Sequence, residues 1–569
     1  MNSQGTGMGG GRVGAVAREA ALQARDRRFF LKKHASAVAI VAVFAVLGLV
    51  SSSVADFSFI KAAAEFPGGF AWFLVEFMPT AASFEHAGKI LAALGSTVLD
   101  AVAAATLAAV FSYACAVAGS KAVGFGGPVQ LVVRALASVM RNIPVVAWAF
   151  ILLFSFKQSE FTGFLALFLK SFGFLTRSFM EVVDEMSQGP VEALRACGAT
   201  RLQVIAHAVV PLSIPQVVSW TLYKVESNIR DATLVGMLTG TGIGFVFELY
   251  YRSFRYDTAG LVVICVALAV IVCETLSNFV RRRVIAGEAA PVRAQAPVAR
   301  DGRIKTRTLS KPDVLLAATM LALAALTVFT FARMDFGDVN LLTACREAFG
   351  NLGIMALEPR LDGHFRAADL VEGLFVTLSI ATVTTLGGAV LALVLGLLAA
   401  CNLSNAIVSN AIKIVCSVVR AVPTILWVLI FTVAIGLGSE ACVVGMMFHT
   451  VAFLAKAYSE AFEEVDRGVL DALRSTGATW WQVVAHAVFP EKINEMLSWT
   501  FIRFESNFVT AVVVAAIAGS GGIGYQLFLT ANFYFDMHEV GLITYMCLAV
   551  SVALEIVATK LRKRFIVQR

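Results

Sequence analysis

Long apolar runs alternate with short polar segments along almost the whole chain. The runs fall near residues 35–55, 90–118, 129–156, 159–180, 216–240 and 258–280, and again near 313–333, 369–400, 407–437, 440–459, 498–519 and 538–559. A helix rises about 1.5 Å per residue, so about 20 apolar residues cross the hydrocarbon core of a bilayer. The pattern therefore predicts an all-α polytopic membrane protein with about 12 transmembrane helices, six in each half.

The most polar ordered stretch of each half is a near-copy of the other. Residues 181–211 read EVVDEMSQGPVEALRACGATRLQVIAHAVVP, and residues 460–490 read EAFEEVDRGVLDALRSTGATWWQVVAHAVFP. A constant offset of 279 links Arg195 to Arg474, Gly198 to Gly477, His207 to His486 and Pro211 to Pro490. The matches include Glu, Gly, Arg, Gln, His and Pro, so they reflect an internal duplication rather than apolar coincidence. Each copy reads as helix, turn, helix. Glu192, Ala193, Leu194 and Arg195 are good helix formers. Gly198 permits a positive φ and a sharp exit. Thr200 is placed to cap the next helix, and Pro211 is expected to mark its end.

Charge adds direction. Arg12, Arg18, Arg25, Arg27, Arg28, Lys32 and Lys33 crowd the segment before the first run, residues 281–312 carry nine basic residues against Glu288 and Asp301, and the last run is followed by Lys560, Arg562, Lys563 and Arg564. Basic flanks stay inside, which predicts cytoplasmic termini, a cytoplasmic linker, and both repeated loops in the cytoplasm. The chain then divides into a basic tail (1–34), a first unit (35–283, loop 181–214), a basic linker (284–312) and a second unit (313–569, loop 460–497). Residues 56–88 carry Phe57, Phe59, Phe66, Phe70, Trp72, Phe73 and Phe77 among their aromatics and suit an interface on the far side.

Composition excludes several classes. The chain is 58% hydrophobic and 15% charged, with a mean hydropathy of +0.78, far from a soluble domain. The net charge of +7 is no nucleic-acid signal, because it sits at membrane edges. The nine Cys are scattered and read as small apolar residues. No GxxxxGK[ST] phosphate loop or HExxH is present, so no catalytic residue, metal ligand or bound cofactor is expected. Gly242 and Gly244, like Gly521, Gly522 and Gly524, suit close helix packing or a backbone break.

A second matched motif lies in the third run of each half. Arg141-Asn142-Ile143-Pro144 with Trp148 pairs with Arg420-Ala421-Val422-Pro423 with Trp427, and Arg134 pairs with Lys413. The prolines should kink or break the span. Arg141 falls near the midplane, where an Arg costs at least about 2.5–3.5 kcal/mol and must face protein or water. Glu226 and Glu505 lie at similar depth, which permits pairs Arg141–Glu226 and Arg420–Glu505. Such pairs either fix the helix arrangement or line and gate a substrate path. Arg230 and Asp231 occur in the first half only; Val509 and Thr510 replace them.

The pattern EAL-R--GA with a following Pro resembles the "EAA" loop of binding-protein-dependent ABC importer permeases. Each loop precedes an ESN triplet, Glu226-Ser227-Asn228 and Glu505-Ser506-Asn507, and then TGTGIG or GSGGIG. These features resemble the phosphonate-transport permeases of the PhnE type, with Asp471 departing from the expected Glu. The resemblance implies a type I (MetI-like) importer fold with both permease units fused. It implies that Glu192, Ala193, Arg195 and Gly198, with Asp471, Ala472, Arg474 and Gly477, couple to an ATPase. It implies two copies of a separate ABC ATP-binding subunit that hold ATP and Mg, and an extracytoplasmic substrate-binding protein. The substrate path is expected to use Arg141, Arg420, Glu226, Glu505, Asn228, Asn507 and Arg230. The expected cargo is phosphonate, phosphate, phosphite or a related oxyanion, carried across a cell membrane. The alternatives are an importer for methionine, glycine betaine or an amino acid, and an ATP-independent secondary carrier.

Overall fold

The computed structural model describes residues 42–186, 188–288, 311–336 and 340–566. The basic tail and residues 289–310 of the linker lie outside them. Described residues form helices and turns, with no strand among them.

Two runs of helices repeat in order. In the first unit they are α4 (Ala87–Gly119), α5 (Gly127–Asn142), α6 (Val145–Phe156), α7 (Glu160–Met186), α8 (Gln188–Ala196), α9 (Arg201–Val204), α10 (Val210–Thr239), α11 (Gly242–Arg252) and α12 (Tyr256–Glu288). Their counterparts in the second unit are α15 (Ala367–Ala399), α16 (Ala406–Ala421), α17 (Thr424–Ile435), α18 (Ser439–Glu463), α19 (Arg467–Ser475), α20 (Trp480–Val483), α21 (Phe489–Ala518), α22 (Ile523–Leu529) and α23 (Met537–Ile566). The remaining helices open each unit: α1 (Ala42–Val54), α2 (Phe59–Glu76) and α3 (Ala81–Phe84) in the first, α13 (Lys311–Arg333) and α14 (Leu341–Leu357) in the second. Seven helices among the described residues are each long and apolar enough to cross a membrane, and three sharply bent pairs raise this to ten. Helices α7 and α21 match α18 and α10, both of which lie within the seven.

Small residues decide the packing, because lipid supplies no hydrophobic drive between helices. Ala101, Ala103, Ala104, Ala105 and Ala108 of α4 are wholly buried, where α4 lies along α7. In the second unit Gly388 and Gly396 do the same work on α15. A Cβ at these positions would stand 2.7 Å from Thr450 Cγ2 and 2.9 Å from Tyr458 Cβ of α18. The glycine runs likewise serve packing: a Cβ on Gly244 or Gly524 would collide with the Thr233 or Val512 carbonyl of the preceding helix.

The opening helices cross over. Helix α13 packs along α4 of the first unit, with Arg333 Nη2 donating to Ser96 Oγ at 2.6 Å. Helix α14 rests on α6, where Asn351 Nδ2 donates to Ser155 Oγ at 3.0 Å. Conversely α2 lies on α17 of the second unit. Its Phe66 stacks on Phe431 with 6.0 Å between ring centroids, and its Phe73 meets Trp427 edge-on at 5.6 Å. The aromatic stretch 57–77 is therefore part of the joint between units, and one apolar core runs through both.

Candidate functional site

The site is built on two broken helices. Pro144 cannot donate a hydrogen bond and disfavours a helical residue before it, so α5 stops at Asn142 and α6 restarts at Val145, turned by 93°. Pro423 does the same between α16 and α17, at 89°. The break strands carbonyls at each helix end, and the matched indoles fill part of the need. Trp148 Nε1 donates to Met140 O at 3.5 Å and Trp427 Nε1 donates to Val419 O at 3.1 Å. Arg141 and Arg420 sit in the last turn of their helices, where carbonyl ends favour a cation.

Their partners differ from the sequence expectation. Arg141 meets Glu555 of the second unit at 2.7 Å, with Glu505 of the same unit at 3.8 Å. Arg420 Nη2 donates to Glu274 of the first unit at 2.7 Å. Carboxylates occur on several helices that pass these arginines, and the broken spans aim each Arg at the other unit's last helix. The two carboxylates are matched in register: Gly260 and Gly541, each pressed against a carbonyl of an opening helix, fix the offset of α12 and α23 at 281. Each carboxylate also receives a second matched cation. Arg177 reaches Glu555, and Lys456 lies 4.0 Å from Glu274. The first pairing is fuller, because Asn142 Nδ2 also donates to Glu555 at 2.9 Å while Ala421 stands opposite in the second unit.

The other expected path residues divide. Glu226 pairs along its own helix with Arg230 at 2.9 Å. Asp231 takes Lys170 at 2.8 Å and Lys224 at 3.6 Å. Asn228 and Asn507 are wholly buried inside their own units. Asn228 bonds Ser171 of α7, and Asn507 spans Thr385 of α15 and Thr450 of α18. They fasten three helices together in each unit. A cavity of about 910 Å³ lies elsewhere. Asp56, Asp369, Glu372 and Glu440 line it with Lys61, the wrong sign for an anion.

Both repeated loops fold as the sequence predicts up to Pro211 and Pro490. Gly198 and Gly477 adopt φ of +78° and +81° after α8 and α19. Thr200 and Thr479 cap the next helix, each boxed with a Gln three residues on. Pro211 and Pro490 do not end that helix. A π-turn at Ile205–Val209, and at Val484–Val488, precedes each proline, and the helix continues to Thr239 or Ala518. The proline sits in the first turn of α10 or α21, where a missing N–H costs little, and the π-turn absorbs the mismatch.

Each loop is clamped to the α4–α5 or α15–α16 turn. Arg195 donates to Ala122 O at 2.6 Å, and Arg474 to Asn402 O at 2.7 Å. Arg134–Asp184 at 3.4 Å and Lys413–Glu463 at 2.7 Å brace the same corner. Val191 and Leu470 point into the unit, whereas Glu192, Ala193, Asp471 and Ala472 are exposed. Matched apolar side chains also stand in the open: Leu202 is 78% exposed and Trp481 70%.

Sequence reasoning missed Glu274, Glu555, Arg177 and Lys456. The signal was present as matched positions, but the last helices are shifted by two residues from the loops' offset, so the glutamates did not align.

Comparison with known proteins places this geometry. The family described as "Binding-protein-dependent transport system inner membrane component" matches twice, over residues 110–287 and 392–566. The phosphate-import permease protein PhnE of Mycolicibacterium smegmatis is 29% identical over 76% of this chain and 77% of its own. The phosphite transport system permease protein PtxC of Stutzerimonas stutzeri is 30% identical over 33% of this chain and 68% of its own. The D-methionine transport system permease protein MetI of Escherichia coli (strain K12) is 28% identical over 26% and 72%. A solved structure of the MetNI methionine ABC transporter in inward facing conformations aligns over 35% of this chain and 97% of its own, at 20% identity and TM-score 0.33. The chain belongs to the binding-protein-dependent transport system inner membrane components, as two PhnE-like ABC importer permease units fused in one polypeptide.

Proposed function

We propose that the chain forms the complete membrane path of an importer for phosphonate, phosphate, phosphite or a related oxyanion. The observation that carries this reading is the pair of crosswise bridges, Arg141–Glu555 and Arg420–Glu274, at the broken helices. An oxyanion needs compensating charge in the membrane, and a guanidinium supplies it in a planar fork that stays protonated. A permanent site would trap the cargo. A glutamate that competes for each Arg weakens the hold, and because it belongs to the other unit, movement between units changes that competition. The relatives named for phosphate and phosphite support the same cargo class. The D-methionine relative covers a smaller share of the chain.

In this reading ATP and Mg are held by two copies of a separate ATP-binding subunit, one under each repeated loop, and this chain binds neither. Leu202 and Trp481 offer each docking helix an apolar anchor. A substrate-binding protein delivers cargo at the opposite end, and both termini face the cytoplasm. Gly198→Val and Gly477→Val place a β-branched residue at positive φ, a strain of about 1–3 kcal/mol. These variants should reach the membrane yet pull down the ATPase at least tenfold less well; unchanged recovery of the ATPase in both would remove the coupling role. Cargo is tested in proteoliposomes that carry the assembled complex and binding protein. ATP-dependent uptake of labelled phosphate or methylphosphonate, not competed by methionine, is expected. Uptake of methionine alone, or uptake driven by a proton gradient without ATPase, would overturn the reading.

A further inference from the structure

The end of the bundle away from the repeated loops holds a cluster that the transport path does not use. His364 lies in the turn before α15, and Asp536 and Glu539 begin α23. One ligand atom from each lies within 4.8 Å of those of the others. His364 Nε2 is 3.7 Å from Asp536 Oδ2. The imidazole is held flat against Tyr534, with ring centroids 4.2 Å apart and planes at 8°.

Each carboxylate spends one oxygen on the backbone and leaves the other. Asp536 Oδ1 accepts from the His538 and Glu539 amides at 2.8 and 3.4 Å, so Oδ2 faces the histidine. Glu539 is wholly buried. Its Oε1 accepts from the Asp362 and His364 amides at 3.1 and 3.2 Å. Its Oε2 is buried with no hydrogen-bond partner among the described residues. A buried carboxylate oxygen without a partner is costly, and a cation is the group that relieves it. The neighbouring Asp362 is already engaged: the hydrogen bond from Arg360 at 2.8 Å holds its carboxyl below the usual carboxylate range.

The first unit handles the same corner differently. The residue just before its last helix is Arg255, whose Nη1 donates to His86 Nε2 at 2.8 Å. A built-in guanidinium thus stands where the second unit has Asp536. The second unit has carboxylates without that cation, and a histidine beside them.

We propose that His364, Asp536 and Glu539 form a binding site for a divalent first-row transition ion, with Zn2+ as its best match. One imidazole nitrogen and two carboxylate oxygens are an ordinary Zn2+ ligand set, with the remaining position open to water. Ligand atoms about 2.0–2.2 Å from one tetrahedral ion stand about 3.4 Å apart; the His364–Asp536 pair, at 3.7 Å, is already close to that, and the site as a whole would draw in by about 1 Å from its present 4.8 Å span. An alkaline-earth ion would prefer an all-oxygen set. The ion would tie the turn before α15 to the start of α23. The sequence offered no spacing motif for it, because His364 and Glu539 are 175 positions apart. The expectation of no metal ligand rested on such motifs.

The test uses the full chain in nanodiscs, purified through a histidine-free tag and stripped with chelator. Zn2+ binding is followed by titration calorimetry and by the thermal midpoint. The wild type should bind one Zn2+ and gain thermal stability. His364→Ala changes an exposed side chain, while Asp536→Asn and Glu539→Gln keep the oxygens that cap the backbone. Each should weaken binding at least tenfold and abolish the thermal gain, and Ca2+ should not substitute. Binding that is equal in wild type and all three variants would assign the ion to other ligands, such as the loop histidines His207 and His486. No binding by the wild type at 100-fold molar excess would likewise overturn the site.

Discussion

The two units share a frame and differ in what fills it. At five matched positions on α7 and α10 and on α18 and α21, the first unit has Lys170, Lys224, Glu226, Arg230 and Asp231, and the second has His449, Arg503, Glu505, Val509 and Thr510. That is three cations and two anions against one of each and a His. In the first unit the charges close into local pairs, Lys170–Asp231 at 2.8 Å and Arg230–Glu226 at 2.9 Å. In the second, Glu505 faces outward to Arg141 of the other unit at 3.8 Å, and buried Arg503 donates to Thr450 at 3.2 Å. Both units keep the crosswise bridges, as they keep the loop clamps and the buried Asn228 and Asn507. The duplication therefore kept the joint between units and let these charged positions diverge, leaving the first unit with an excess of positive charge.

The largest expected effect separates the two bridges. Arg420→Ala would leave Glu274 with only Lys456 at 4.0 Å, whereas Arg141→Ala would leave Glu555 with Arg177 and Asn142. An uncompensated buried charge costs about 3–5 kcal/mol. Arg420→Ala should lower the unfolding midpoint more than Arg141→Ala, and both should abolish uptake. Equal midpoints would show that the asymmetry of the bridges carries no energy.

Next comes Arg230→Val, which makes the first unit resemble the second. Glu226 loses its intrahelical partner and the first unit its positive excess. Measured per inserted protein, oxyanion uptake should fall about tenfold, equivalent to about 1.4 kcal/mol, and the unfolding midpoint should fall too, because Glu226 stays buried without its partner. A variant with wild-type uptake would show that the excess charge plays no part in the path.

The smallest effect lies at the indoles. Trp148→Phe and Trp427→Phe each lose a hydrogen bond to a carbonyl at a helix break, about 1 kcal/mol. The bond from Trp427 is shorter, 3.1 Å against 3.5 Å, so its variant should unfold at the lower temperature. The reverse order would assign the indoles to packing alone.

The legible parts of this molecule were those that repeat. Apolar run lengths gave the helices, and the offset of 279 gave the duplicated loops with their positive-φ glycines and Thr caps. Pro144 and Pro423 gave the broken spans. What the sequence hid was contact between distant segments. Nothing local says that α13 lies on α4, or that Arg141 reaches past Glu226 to Glu555, because membrane depth is common to many helices and rotation about each axis is set by neighbours. The π-turn before Pro211 was hidden too, since a proline at a helix start and one beyond a helix end look alike in sequence. The cluster at His364 joins residues that only the folded turn brings together.

The central claim is that Arg141 and Arg420 each pair across the unit boundary, and cross-linking tests it most directly. In a background with the nine Cys replaced, Arg420→Cys is combined with Glu274→Cys or with Glu505→Cys. A protease site in the linker near residue 300 then separates the units. A short bismaleimide should hold the cut halves together in the Arg420→Cys, Glu274→Cys protein and leave them separate in the Arg420→Cys, Glu505→Cys protein. Separation of the halves in the first protein would contradict the crosswise pairing.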